Sequence, residues 1–441
     1  MFKTFRKALE VEEIRKRLIF TFLIMVVVRI GCQIPTPGIN TEVVQSWLSS
    51  LNNTAFNFFN TITGNSFSTM SIFALSISPY ITSSIIVQLL TIAIPKLEEL
   101  SKDGEEGRKK INQITRYGTI ALALIQSISM AIGFGSTYLT NNTWYNVIIV
   151  GLVMTSGSTF LMWLGERITD RGLGNGISII LLINIISSLP NDFMTMYETF
   201  IEGQKLWLGI LIALFILAFL FAIVVFVVYL QDGERKIPVQ YAQKMSGRRL
   251  VGGQATNIPI KVNTAGVIPV IFASSLLSMP GIIAAFLGIN TSEPTTTAGH
   301  IIKGLTQSSW CNPEEPIYTL GLILYIVLLV FFAYFYTSIT FNPVEVANNM
   351  KKQGGFVPGI RPGKPTSDYI EKILNKIIII GAIGLLIVAI IPIILTGVAG
   401  VGSSLCFFGT SMIIIVGVVI ETIKQAESMM VVRNYKGFLN D

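Results

Sequence analysis

Few residues in this chain have the type and spacing to do chemistry. His300 is the one histidine, and acid–base catalysis needs a second titratable group within hydrogen-bond reach of it. Cys32, Cys311 and Cys406 form an odd set with no repeated spacing, so they make neither a disulfide framework nor a zinc site. Arg171-Gly-Leu-Gly-Asn-Gly-Ile177 has the glycine content of a dinucleotide loop. No strand precedes it, a third glycine is missing at the required spacing, and an apolar stretch follows, so that reading fails. Its small residues suit close helix packing or a bend instead. No phosphate-binding loop, Ser–His arrangement, paired aspartate or metal cluster accompanies the apolar stretches. The sequence therefore predicts a protein that is not an enzyme, holds no cofactor or metal, and draws its energy from a partner.

The elements that must position what remains are set by composition. Of 441 residues, 51% are hydrophobic and 13% charged, with a mean hydropathy of +0.64. Soluble domains carry about 25% charged residues, so a soluble enzyme, a disordered chain and a disulfide scaffold are all excluded. A bilayer core of about 30 Å takes roughly 20 apolar residues in a helix. Ten stretches qualify: 18–35, 70–94, 118–138, 143–164, 172–190, 206–230, 264–287, 317–341, 377–396 and 403–420. The expectation is an all-α membrane protein with ten transmembrane helices. Ten divides into five and five (18–190 and 206–420), which predicts two inverted halves with a pathway at their interface.

Orientation follows from lysine and arginine. Of the 32 in the chain, 29 fall in segments 1–17, 95–117, 165–171, 231–263, 342–376 and the tail 421–441. The alternate loops hold Lys205 and Lys303, and Arg29 lies inside the first stretch. Both termini are thus expected in the cytoplasm. Residues 1–17 alternate Phe2, Phe5, Leu9 and Ile14 with basic residues, as in an amphipathic helix lying on the membrane surface. A cleavable leader is not expected, since no small-residue cleavage site follows.

Arg29 is the one formal charge within any of the ten stretches. Inserting it costs about 2.5–3.5 kcal/mol. With no acidic residue in another stretch, backbone carbonyls or water must satisfy it. The second stretch holds Pro79 among Ser76, Ser78, Ser83 and Ser84, which predicts a kinked helix or one facing a wet cavity. Before it, residues 56–70 are too polar and too short to span; they form an outer loop or re-enter a cavity.

Two basic loops are long and patterned. In 231–263, Arg235–Tyr241 alternates as a strand, and Ser246-Gly247 followed by Arg248 and Arg249 reads as a hairpin with an unpaired edge. In 342–376, Asn342 caps a helix with Pro343 and Glu345 in its first turn, Gly354-Gly355 ends it, and 356–363 makes a stiff turn. Together they predict a docking platform for a large partner. Physics alone leaves a channel, a transporter or a scaffold.

The same segments resemble the SecY family. Arg29-Ile-Gly, Ile34-Pro-Thr-Pro-Gly-Ile39, Ser71-Ile-Phe-Ala-Leu75 and Pro79-Tyr-Ile81 carry the resemblance, with Leu164–Ser178, Lys261–Ser275, Phe341–Gly363, Gly409-Thr-Ser411 and Arg433-Asn-Tyr435. It implies an hourglass pore between two five-helix halves, conducting unfolded secretory polypeptides and releasing hydrophobic segments sideways into lipid. Motif position puts an aliphatic pore ring on Ile77, Ile81, Ile177, Leu181, Ile271 and Ile414, with Leu181 replacing the commoner isoleucine. Such a ring offers a hydrated ion no donor or acceptor and seals by dewetting. The plug falls on Phe59, Ile62, Gly64, Phe67 and Thr69. The lateral gate falls on Thr82 and Met279, and motor or ribosome docking on Arg248, Arg249 and Arg361. The implied partners are SecE-like and SecG-like small membrane subunits, the SecA ATPase motor, the ribosome, signal peptides, unfolded polypeptides and membrane lipids, in the bacterial plasma membrane.

Two other readings were open. A secondary solute transporter with inverted repeats needs midplane ionisable groups, and an intramembrane enzyme needs a catalytic cluster; the sequence supplies neither.

Overall fold

The computed structural model describes residues 11–50, 60–138, 144–202, 206–241, 244–246, 249–251, 255–286, 296–311, 315–399 and 408–437. The chain opens with α1 (Glu12–Gly31), α2 (Thr41–Ser50) and a helical turn over 60–63. Then come α3 (Ser78–Ala93), α4 (Pro95–Lys102), α5 (Gly104–Tyr138), α6 (Trp144–Arg171), α7 (Gly176–Phe200) and α8 (Leu206–Asp232). Four strands follow, β1 (Glu234–Tyr241), β2 (Lys244–Ser246), β3 (Arg249–Val251) and β4 (Ala255–Lys261). The remainder is α9 (Ile268–Phe286), α10 (Thr297–Leu305), α11 (Leu320–Thr340), α12 (Pro343–Lys352), β5 (Gly355–Phe356), α13 (Lys364–Ala399) and α14 (Phe408–Gly437).

Each of the ten expected spans overlaps a helix. Among the described residues, six helices are long and apolar enough to cross a membrane, and the pair α3–α4, bent by 107°, makes a seventh if counted as one span. The apolar part of α9 is shorter, covering Ile268–Gly281.

Three boundaries differ from expectation for identifiable reasons. Residues 12–17 do not belong to a separate surface helix. Ion pairs at i,i+4 spacing, Lys16–Glu12 at 2.8 Å and Arg17–Glu13 at 3.3 Å, lie in one helix that continues into the first expected stretch. The second span turns helical only at Ser78, and Pro79 lies in its first turn rather than at a kink. Proline is tolerated there because its missing N–H has no helical acceptor. Ahead of it the backbone is held in turns, with Ser76 at φ 48°. The ninth span's helix, α13, runs well into the polar loop that precedes it.

The two basic loops join. β1 pairs antiparallel with β4 along its length, and at its end Gln240 and Tyr241 pair with Phe356 and Gly355 of β5. The expected unpaired edge of β1 is therefore covered at that end by the other loop. Ile237, Val239 and Ile260 from the sheet pack with Met350, Val357, Ile370 and Leu374 into one core. β2 and β3 form the expected hairpin.

Two larger cores lie among the long helices. One gathers Val28, Leu161, Ile180 and Ile185, the other Val227, Leu329, Leu385 and Ile413. Ile81 and Val267 pack against both.

Candidate functional site: an aliphatic ring between a polar vestibule and a seated segment

Local sequence chemistry fixes where α7 begins. Gly174 takes φ 86°, and the side chain of Asn175 accepts from the Ile177 N–H at 3.2 Å, an N-cap that places Ile177 in the first turn. Gly176 lies so close to α6 that an added Cβ would overlap the carbonyl oxygen of Gly165. These glycines serve close helix packing, as their sequence context suggested. Ile177 and Leu181, four residues apart, then share one face of α7.

The six expected ring residues come together. Ile77, Leu181, Ile271 and Ile414 are buried members of one cluster, and Ile81 and Ile177 are partly buried against it. They arrive from four elements: the entry to α3, α7, α9 and α14. Ile62 belongs to the same cluster.

Along α7, α9 and α14 the surroundings change in the same order. Asn175 and Ser178 of the α7 start, Ile268 of α9 and Val418, Glu421 and Lys424 of α14 line a cavity of about 250 Å³. Its walls also include Gln231, Lys261 and Asn263, so this vestibule is polar and adjoins the basic loops. Next come Ile177 and Leu181, Ile271, and Ile414. On their other side, Ile271 and Ile414 join Ile185, Ser274, Thr410 and Ser411 in lining a narrow cavity shared with Thr61 and Ile62. α7 and α9 run from vestibule to seat and α14 runs back. At 1.5 Å per residue the run from Asn175 to Ser187 rises about 18 Å, a little over half a bilayer core.

The expected plug is a seated, turn-rich segment. Phe59 lies outside the described residues. Ile62 and Phe67 are buried, and a helical turn over 60–63 ends at Gly64, φ 64°, followed by Asn65, φ 66°. Side chains within the segment bond one another. Asn60 Nδ2 donates to Asn65 Oδ1 at 2.9 Å, the Ser68 N–H donates to Asn60 Oδ1 at 3.1 Å, and the Thr69 hydroxyl donates to Asn65 O at 3.1 Å. At its far end Thr36 N–H donates to Met70 O at 2.9 Å and Ile72 N–H to Ile34 O at 3.0 Å.

Of the two kinds of partner expected for Arg29, a backbone carbonyl or water, the structure shows a carbonyl: Nη1 donates to Gly64 O at 3.1 Å. Sequence reasoning missed Asn184, whose Nδ2 donates to Ser76 Oγ at 3.1 Å, while Ser158 Oγ donates to Ser76 O at 2.9 Å. These bonds tie the turn before α3 to α6 and α7. An asparagine inside an apolar stretch was the available signal.

The remaining expected residues are dispersed. Thr82 is half-buried on α3, its hydroxyl donating to Ser78 O at 3.1 Å, and Met279 is half-buried on α9 just before Pro280. Both lie outside the ring cluster. Arg248 falls outside the described residues, Arg249 opens β3, and Arg361 is exposed in the turn before α13. The Arg361 carbonyl accepts from the Thr366 hydroxyl at 2.8 Å.

This fold is that of the protein-conducting channels. It superimposes with a TM-score of 0.62 on a structure described as that of a protein conducting channel, at 20% identity over 94% of this chain and 92% of the other. A SecY structure, described as showing that its plug domain stabilises the closed state and maintains a membrane seal, gives a TM-score of 0.59 at 19% identity over 94% and 92%. Sec61 in a canine ribosome–channel complex gives 0.58 at 18% identity over the same shares, 94% and 92%. Sequence then sets the family. Residues 71–423 match the SecY family model. Protein translocase subunit SecY of Halalkalibacterium halodurans is 43% identical over 445 residues, and that of Bacillus subtilis 42% identical over 449, each covering 100% of both chains. The chain belongs to the SecY family.

Proposed function

We propose that this chain is the channel subunit of a protein translocase. It passes unfolded secretory polypeptides across the membrane and releases hydrophobic segments sideways into the bilayer. The observation that carries this reading is the shared order of levels along three helices: a polar cavity beside the basic loops, an aliphatic cluster, and a narrow cavity that Thr61 and Ile62 also line. An unfolded chain enters the vestibule, where its backbone keeps polar company. The ring of Ile77, Ile81, Ile177, Leu181, Ile271 and Ile414 fits around it without binding its peptide groups. With no chain present, the ring dewets and residues 60–70, the plug, close the far side. Full names in the family and the structures of channels bearing ribosomes support the assignment.

The finer architecture follows from the same reading. Ten helices span in two inverted five-helix halves, the lateral gate opens between the second and third spans and the seventh and eighth, and Thr82 and Met279 line its seam. Both termini and the joined basic loops face the cytoplasm of a bacterial plasma membrane. Arg248, Arg249 and Arg361 engage the ribosome or a SecA-type motor, because guanidinium groups suit carboxylates and RNA phosphates. SecE-like and SecG-like subunits complete the channel, and signal peptides and lipids meet at the gate.

Planar-bilayer conductance tests the ring. Ile271→Ser and Ile414→Ser should leak ions, whereas Ile380→Ser on α13, where the side chain is 60% exposed, should not. Equal conductance in all three would refute the assignment.

A further inference from the structure

Resting on the reading of residues 60–70 as the plug, we propose that Arg29 is the latch that holds it seated and sets how strong a substrate's signal must be to open the channel. Four observations converge on this pair.

The first is depth. Arg29 is half-buried in α1 and its Nη1 donates to Gly64 O at 3.1 Å. Among the described residues, the ion pairs of this chain join other residues. The second is backbone shape. Gly64 and Asn65 both lie in the left-handed region, at φ 64° and 66°. That turn directs the Gly64 carbonyl away from the segment's own hydrogen bonding, while its N–H stays inside the segment on Thr61 O at 3.2 Å.

The third is fit. A Cβ on Gly64 would meet Arg29 Nη1 at 2.7 Å, and Asn184 Cα and Ser187 Oγ each at 2.9 Å. Only glycine lets the segment sit this close to both α1 and α7. The fourth is independence. Because its own side chains bond one another, 60–70 can move as a body, hinged at its far end where the Thr69 hydroxyl also reaches Cys32 O at 3.5 Å. Its far end remains tied to residues 34–36, so the Arg29 contact secures the end nearer the ring.

A guanidinium–carbonyl bond suits a latch. In this partly buried seat it is charge-assisted. Once a polypeptide wedges the channel and water follows, both groups exchange the bond for water at little net loss. The latch thus resists thermal opening but yields to a substrate.

The test uses the full chain purified with its membrane partners. Arg29→Gln, Gly64→Ala, their double variant and a deletion of 60–70 are compared for resting ion conductance and for export of a substrate with a weakened signal. Arg29→Gln and Gly64→Ala should each raise both readouts by about tenfold. The double should do no more than the stronger single, because both act on one contact. Wild-type behaviour of Arg29→Gln beside a leaky deletion would overturn the latch and leave the plug standing. A tight deletion variant would instead overturn the plug reading, and the latch with it. Should Arg29→Gln fail to accumulate, Gly64→Ala alone decides: wild-type conductance overturns the proposal, and a leak upholds it.

Discussion

The Cα of Gly176 faces the carbonyl oxygen of Gly165 so closely that a Cβ on Gly176 would overlap it. That approach sets α7 against α6 and holds Ile177 and Leu181 where three other elements bring Ile77, Ile271 and Ile414. Backbone cannot give way as a flexible side chain can.

Gly176→Ala should therefore push α7 off α6, destabilising the fold by about 1–3 kcal/mol. Thermal unfolding in detergent checks this. Resting conductance should rise in the same variant because two ring residues move with the helix. A variant as stable and as tight as the parent would contradict the packing argument.

Ile81 packs against both main cores and is one of the residues proposed for the ring. Ile81→Ser places a hydroxyl where a permeating ion otherwise loses its water. About 1.4 kcal/mol off that barrier raises the rate about tenfold, and single-channel or bulk ion flux in planar bilayers measures it.

Arg361 is exposed, and among the described residues its backbone carbonyl is engaged by Thr366. Arg361→Glu should leave the unfolding midpoint within about 0.5 kcal/mol of the parent. It should lower motor-dependent translocation by about tenfold or more, since reversed charge repels an acidic docking groove. Normal rates with a responsive motor would count against the docking role.

Asn342 caps α12, its Oδ1 accepting from the Val344 N–H at 3.1 Å and the Glu345 N–H at 3.4 Å. Asn342→Ala should destabilise that helix by about 1 kcal/mol, seen as faster hydrogen exchange at residues 344 and 345. Because α12 packs into the same core as β1 and β4, exchange in the sheet should quicken as well.

What the sequence disclosed follows from how local each feature is. The Asn342 cap, the β2–β3 hairpin and the apolar helices rest on neighbours in the chain, and each is present. That Arg29 needs a backbone carbonyl or water was legible from its place in an apolar stretch. Which carbonyl it takes was not, because Gly64 lies 35 residues away across a turn set by two left-handed residues. The start of α3 was misplaced for a similar reason. Residues 70–77 are apolar enough to read as helix, yet Ser76 is held in a turn by Ser158 and Asn184 from distant helices. The β1–β5 pairing joins two loops more than 100 residues apart, beyond any local pattern. The proposal of ring residues needed family motifs, since one isoleucine in a span looks like any other.

The central claim is that a polypeptide passes through the aliphatic ring. Site-specific photocrosslinking from position 271, with a secretory polypeptide stalled halfway, tests it most directly. The account predicts crosslinks to the nascent chain from 271 and none from position 380, exposed on α13. No crosslink from 271, with the stalled intermediate demonstrably present, would contradict it.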